Sequence, residues 1–201
     1  MKKRELKIIL IILAAALLVF LILDFNYFWF YAKYYFSSRT TVTTFSNPPS
    51  TNSTSTPTGQ PNFLTIASLN IEAPIVYIDQ VGETAFQAGL KNGVVHYPGT
   101  AEPGQNGNCY IFGHSSDYIW SNGKYKTVFT LLPRIKIGDK IAVSDKQGHV
   151  FTYVAKQTKV VAPTDLQYLN QDYGKKILTL QTSYPIGTAL KRFIVIAELE
   201  N

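Results

Sequence analysis

The chain has 201 residues, 46% of them apolar, with 19 basic residues against 13 acidic ones and a formal charge of +6. That length admits one domain with an appendage or two small domains, and that apolar fraction excludes a wholly disordered chain. A single cysteine excludes an intramolecular disulfide framework and any multi-cysteine zinc site.

The charge is unevenly placed. Residues 1–62 carry six basic and two acidic residues, net +4, whereas 63–201 carry thirteen and eleven, net +2. No Lys/Arg-rich stripe with interleaved aromatics follows residue 63, so a nucleic-acid partner is not expected. Lys2, Lys3, Arg4 and Lys7 form a basic tail over 1–7, directly before an unbroken apolar run of 16 residues from Ile8 to Leu23. As a helix that run spans roughly 24 Å, short of a hydrocarbon core of about 30 Å. Asp24 interrupts it, and Phe25–Ala32 resumes with Tyr27, Phe28, Trp29, Phe30 and Tyr31, an aromatic belt at the far end. Residues 8–32 are therefore expected to form a transmembrane signal anchor. The run is longer than the apolar stretch of a cleaved signal peptide, and no small-x-small cleavage site follows it. The basic tail orients the N-terminus to the cytoplasm and the remainder outside the cell membrane.

Residues 33–62 are expected to be a flexible tether. Within Ser37–Asn62, 23 of 26 residues are Ser, Thr, Pro, Asn, Gly or Gln. Such a stretch cannot bury enough apolar area to fold, and as a coil it reaches roughly 28 Å.

From residue 63 the pattern changes to short β-rich runs between Gly, Pro, Asn and Asp punctuation. Strands are expected at Phe63–Ile66, Ala73–Ile78, Val94–Tyr97, Cys109–Phe112, Lys140–Val143, Val150–Val161, Ile177–Thr182 and Phe193–Leu199, with a hairpin turn at Asp145–Gly148. Helical stretches are few and short: Thr84–Leu90, Thr127–Leu132, and Thr164–Leu169 with Thr164 as N-cap. Eight strands in so short a body mean an all-β fold, either a closed barrel or a sandwich.

Three histidines stand out as candidates for chemistry. His149 follows Gly148 in the hairpin and reads as a solvated edge residue. His96 closes a strand at Tyr97-Pro98-Gly99. His114 follows Gly113 where a strand runs into a polar loop, a position that catalytic residues favour. Further on, a strand delivers Thr182 and Ser183 to its end, and the next strand begins at Arg192. An arginine there can donate hydrogen bonds to a substrate carbonyl or a developing oxyanion. Its bland alternative is a surface residue with its stem laid along the barrel.

These residues together resemble the sortases, the transpeptidases of bacterial cell envelopes. Ile111-Phe112-Gly113-His114 is similar to the family's histidine motif. Thr179-Leu180-Gln181-Thr182 matches its nucleophile motif, a Thr-Leu-x-Thr-Cys run, up to the last position, and Arg192 precedes the last strand as the family's arginine does. The His96–Thr100 segment also resembles the family. The resemblance covers essentially all of 63–201 and suits the anchor and tether. It implies a closed eight-stranded β-barrel, with His114, Ser183 and Arg192 in the catalytic positions. It makes Thr182, His96 and Ser115 candidate substrate-binding residues. It further implies cleavage of a Leu-Pro-x-Thr-Gly-like sorting signal through a thioacyl intermediate that an envelope amine resolves. The implied partners are surface proteins with a C-terminal sorting signal and that amine acceptor. No acidic cluster demands calcium, and no metal or other cofactor is assigned.

Ser183 departs from the family's cysteine. A thiol ionises near pH 8.5 and can be activated by an imidazolium beside it, whereas a serine hydroxyl needs a general base within hydrogen-bond reach. Asp117 follows His114 too closely in sequence to be assigned as the acid of a serine triad. Cys109 lies an odd five residues before His114, which puts the two on opposite strand faces, and a lone cysteine is usually a small buried hydrophobe. Three origins of Ser183 stand open: a Cys→Ser replacement that traps a substrate complex, a natural homologue that binds signals without cutting, and a serine enzyme of slow turnover. With no second apolar run after Leu199 and no Asp-Pro-aromatic lid in the tether, protein anchoring is expected rather than pilus polymerisation.

Overall fold

The computed structural model describes residues 59–116 and 123–200, together with residues 5, 7, 9, 11–15 and 18. The chain divides into two compact units, Met1–Asn52 and Ser53–Asn201. In the first unit every described residue is helical, and Ile11, Ile12 and Leu13 are exposed. The transmembrane helix expected over 8–32 is not supported here: among the described residues no helix is long and apolar enough to cross a membrane. Most of that segment, and most of the tether, lie outside the described residues.

The second unit contains eight strands: β1 (Phe63–Ile66), β2 (Ile71–Tyr77), β3 (Val94–His96), β4 (Gly107–Phe112), β5 (Lys140–Ser144), β6 (Val150–Val161), β7 (Lys176–Tyr184) and β8 (Lys191–Leu199). They close into a barrel in the order β1-β2-β3-β4-β7-β8-β6-β5, with β5 pairing back onto β1. Of the two architectures open from the sequence, the barrel is the one formed. Closure leaves no sheet edge to be covered, which suits strands this short.

Two pairings are parallel, β2 with β3 and β4 with β7. Parallel neighbours need a crossover. Between β2 and β3 it carries α1 (Glu83–Leu90). Between β4 and β7 it includes β5 and β6, joined by the hairpin at Asp145–Gly148. There the Gly148 N–H donates to the Asp145 carbonyl (3.1 Å), and Gly148 takes the left-handed conformation at φ 85°. The exposed His149 ring sits 2.8 Å from the Asp145 carboxylate, an edge residue as expected.

Strand alternation sorts the side chains into two sets. Leu178 and Leu180 of β7, Cys109 and Ile111 of β4, and Phe193, Val195 and Ala197 of β8 join the barrel core. Each fully buried large aliphatic contributes about 1.5–3 kcal/mol by leaving water. The residues between them, including Tyr110, Gln181, Ser183 and Arg192, belong to the outer face.

Three local expectations need correction. Thr127–Leu132 is a series of turns ending in a 3-10 turn at Leu132–Arg134, not a helix. Its N–H groups bond three residues back, as Thr130 to Thr127 does, and the Phe129 N–H leaves the segment for the His114 carbonyl (2.9 Å). Pro133, which has no N–H, closes off any helical continuation. Thr164–Leu169 is likewise a turn with a 3-10 stretch at Gln167–Leu169 and no side-chain cap. The Asp165 carboxylate accepts from the Gln167 N–H (3.3 Å) and so competes with helical bonding. The tether ends earlier than residue 62. Gly59 donates to the Gly148 carbonyl (2.7 Å), Asn62 donates to that of Asp145 (2.9 Å), and the Asn62 carbonyl accepts from Ile75 (2.7 Å). Residues 59–62 thus belong to the barrel.

Gly113 closes β4 at a tight approach. A methyl on its Cα would lie 2.7 Å from Cδ2 of Phe129 and 3.0 Å from Cγ1 of Val94, both fully buried side chains. Gly113→Ala is expected to destabilise the barrel by about 1–3 kcal/mol through overpacking. Urea unfolding checks this as a lower midpoint with an unchanged slope.

Candidate active site

The site is built at one end of three adjacent strands. Because β4 and β7 are parallel, both run their C-terminal ends to the same rim, and antiparallel β8 starts there. Ser183 is the cross-strand partner of Arg192. Both lie on the outer face, so their side chains leave the sheet on the same side. His114 stands two residues past Phe112, whose β7 partner is Gln181 two residues before Ser183.

The exit from β4 is pinned at every step. The Gly113 N–H donates to the Gln181 carbonyl (3.1 Å), and the Thr182 hydroxyl donates to the Gly113 carbonyl (2.9 Å). The His114 carbonyl accepts from Phe129, and the Ser115 carbonyl accepts from the Thr130 hydroxyl. The Ser116 hydroxyl accepts from the Gly187 N–H (3.0 Å), which ties the histidine loop to the loop between β7 and β8. That loop also receives the Arg192 guanidinium, whose Nη1 donates to the Ala189 and Lys191 carbonyls (3.1 Å each).

His114, Thr182, Ser183 and Arg192 all line one cleft of about 430 Å³. Its walls come from α1, through Phe86 and Leu90, and from the β6–β7 connection, through Pro163, Leu166 and Leu169. The floor is aromatic. Phe86 meets Phe112 edge-on at 5.0 Å between ring centres and Tyr97 at 5.7 Å, and Tyr97 meets Tyr110 at 5.9 Å. The Tyr110 hydroxyl donates to Gln181 Oε1 (2.6 Å). Burial raises the Tyr110 pKa above the ordinary phenol value, while the positive charge of Arg192 pulls it the other way, so Tyr110 stays a neutral donor. The cleft therefore offers a mixed aromatic and polar surface leading to a histidine, a hydroxyl and a guanidinium.

Residues 64–200 match the family model for the Sortase domain. The chain belongs to the sortase family. It is similar to Sortase D of Bacillus subtilis (strain 168), at 32% identity over 142 residues. The match covers 69% of this chain and 63% of that relative, so the chain spans less than two thirds of its length. Among solved structures it is similar to a Clostridium perfringens Sortase D5 transpeptidase, at 27% identity and a TM-score of 0.56 over 69% of this chain and 78% of that one. It is also similar to sortase C-1 from Actinomyces oris, at 26% identity and a TM-score of 0.59 over 69% and 72%.

Not every residue the sequence points to in this sortase reaches the cleft. His96 is 5% exposed and does not line it. Its ring stacks on Tyr77 at 4.8 Å, and its Nε2 lies 2.9 Å from the Ala101 carbonyl. Ser115 is buried outside the cleft lining, held through its carbonyl by Thr130. Thr182 does line the cleft, but its hydroxyl is committed to Gly113. Cys109 points into the barrel core at 1% exposure, where desolvation pushes its thiol pKa well up, so it cannot act as a thiolate nucleophile. Asp117 lies outside the described residues. Tyr110, Gln181, Phe86 and Leu90 were not singled out from sequence. Their signal is the outward phase of β4 and β7 and the apolar spacing of α1, which becomes readable once the core phase is known.

Two outcomes follow. Thr182→Val is expected to cost about 1–3 kcal/mol, because it leaves the buried Gly113 carbonyl without a partner; chemical unfolding measures it. Burial lowers the His96 pKa below its ordinary 6.5, partly offset by the hydrogen bond to Ala101. A proton therefore binds the unfolded chain more readily than the folded one. Stability is full above the ordinary histidine pKa and falls as pH drops through it towards the folded value. Melting temperature should decline from about pH 7 to pH 5, with a shallower slope in His96→Gln.

Proposed function

We propose that this chain is built as a sortase-type transpeptidase. It takes a Leu-Pro-x-Thr-Gly-like sorting signal, cleaves it, and joins the protein to an amine of the cell envelope. The observation that carries this reading is the pairing of Ser183 with Arg192 on one face of β7 and β8, with His114 on the same cleft. In the reaction the residue at position 183 gives its proton to His114, attacks the scissile carbonyl and, as the C–N bond breaks, forms an acyl-enzyme. Arg192 donates hydrogen bonds to the carbonyl oxygen as it gains charge. His114 protonates the departing amine and then takes the proton from the incoming one. The aromatic floor and the Pro163–Leu169 wall hold the apolar residues that precede the cleavage point.

A serine hydroxyl is a much weaker acid than a thiol, so Ser183 impairs this sequence of steps as written. That same residue favours a second reading, a sortase-like module that binds sorting signals and leaves them intact. In either case the protein is proposed to be a single-pass cell-membrane protein. The basic tail would lie in the cytoplasm, residues 8–32 would span the membrane, and the barrel would work outside. Its clients would be surface proteins awaiting attachment rather than pilus subunits.

The two readings separate by experiment. Incubated with a panel of sorting-signal peptides and amines, the full chain is expected to bind a signal peptide with little or no product. Ser183→Cys should yield cleaved and amine-joined product, detected by mass spectrometry. Adding His114→Ala in that background should slow product formation by at least about 100-fold. Failure of Ser183→Cys to cleave any peptide of a broad panel would sink the enzymatic reading. Clear product from the Ser183 chain itself would sink the binding-module reading.

A further inference from the structure

No residue of the β6–β7 wall of the cleft, over 162–175, is buried. Its 3-10 turn at Gln167–Leu169 buries no residue, and Leu166 is 65% exposed. Its position against the barrel depends on a buried polar cluster centred on Asn108 of β4, which is 4% exposed.

Asn108 uses both ends of its amide and both of its backbone groups. Its Nδ2 donates to the Tyr168 carbonyl of the wall (2.8 Å), and its Oδ1 accepts from the hydroxyl of Thr179 on the neighbouring strand (2.8 Å). Its N–H donates to Gln171 Oε1 (2.9 Å), and its carbonyl accepts from Gln171 Nε2 (3.1 Å). The same Gln171 Nε2 donates to the carbonyl of Leu169, a cleft-lining residue (3.1 Å). Gly107 makes room for this. A Cβ there would lie 2.8 Å from Gln171 Oε1, and its φ of 119° is one that side chains rarely adopt. Four hydrogen bonds, counting a longer one from Asn108 Nδ2 to the Asn170 carbonyl (3.5 Å), thus fasten a loop that carries four cleft residues to the strand that leads to His114.

We propose that Asn108, with Gln171, is a positioning residue that sets the β6–β7 wall and thereby the affinity of the cleft for a sorting-signal peptide. This rests on the peptide-binding reading above. Asn108 touches no reacting atom, so its loss acts on binding far more than on the chemical step.

Asn108→Asp separates the two halves of the cluster. It retains the acceptor for Thr179 but replaces the donor to Tyr168 with an oxygen facing a carbonyl. Gln171→Ala removes the loop's own contribution and leaves the strand intact. In the full chain with native Ser183, each substitution should weaken binding of a Leu-Pro-x-Thr-Gly peptide by at least about fivefold, since Asn108→Asp loses the bond to Tyr168 and Gln171→Ala loses three. In the Ser183→Cys background KM should rise by a similar factor while kcat stays within about twofold. Amide exchange at Leu169 and Asn170, followed by mass spectrometry, should quicken in both variants. Val143→Ala, in the core on β5 across the barrel, is the control. It should lower the melting temperature without changing peptide affinity or exchange in the loop. Native-like affinity in both variants would overturn the proposal, whether or not exchange quickens. So would an equal loss of affinity in Val143→Ala. If the native chain binds no peptide at all, the peptide-binding reading fails. Loop exchange alone then decides whether Asn108 positions the wall, and unchanged exchange would overturn it.

Discussion

The parallel pairing of β4 with β7 is the constraint on which the site depends. Six consecutive residue pairs, from Gly107 with Lys176 to Phe112 with Gln181, hold the two strands in one register. Parallel direction sends both C-terminal ends to the same rim. Register sets how far His114 and Ser183 travel past it. The bonds from Gly113 to Gln181 and from Thr182 to Gly113 continue the ladder beyond the last formal pair. A slip of one residue would turn Ser183 into the barrel and bring Thr182 out.

The barrel core and the cleft are two faces of the same strands, with different demands. Inside, Leu178, Leu180, Cys109 and Ile111 pack in a dry interior where a thiol remains protonated. Outside, Tyr110 and Gln181 form a hydrogen-bonded pair below an aromatic slot. Cys109 and Ser183 show the consequence. The reactive atom type sits on the face where it cannot react, and the weaker nucleophile sits where the chemistry would take place. Nothing in the barrel's packing requires serine rather than cysteine at 183, since the side chain faces the cleft.

Much of the architecture was legible because strand signals are local. β1 and β6 fall where the run of apolar and β-branched residues places them, and the other six strands differ only at their ends. The Asp145–Gly148 hairpin was legible for the same reason, since its turn chemistry is contained in four residues. The two failed helices lost backbone donors to other partners, one distant in the chain and one two residues away. The Phe129 N–H was taken by His114, and the Gln167 N–H by the Asp165 side chain. The tether boundary was missed because Gly59–Asn62 has a loop's composition yet bonds to the hairpin more than eighty residues away.

The sequence by itself determined the all-β class and the strand positions, and it put forward His114, Ser183 and Arg192 as candidates, because each stands at a strand end marked by local pattern. It also supplied the family likeness that the matched domain later bore out. Only the tertiary structure decided which of the other candidates reach the cleft. His96 and Ser115 sit in motifs as suggestive as that of His114, yet His96 turns to Tyr77 and Ala101 while the Ser115 backbone turns to Thr130. Asn108 and Gln171 carry no motif, yet they fasten the wall. The physical reason is that a side chain's role depends on which face of the barrel it occupies and what crosses over it. Both are set by strand order and register, which pair residues distant in the chain.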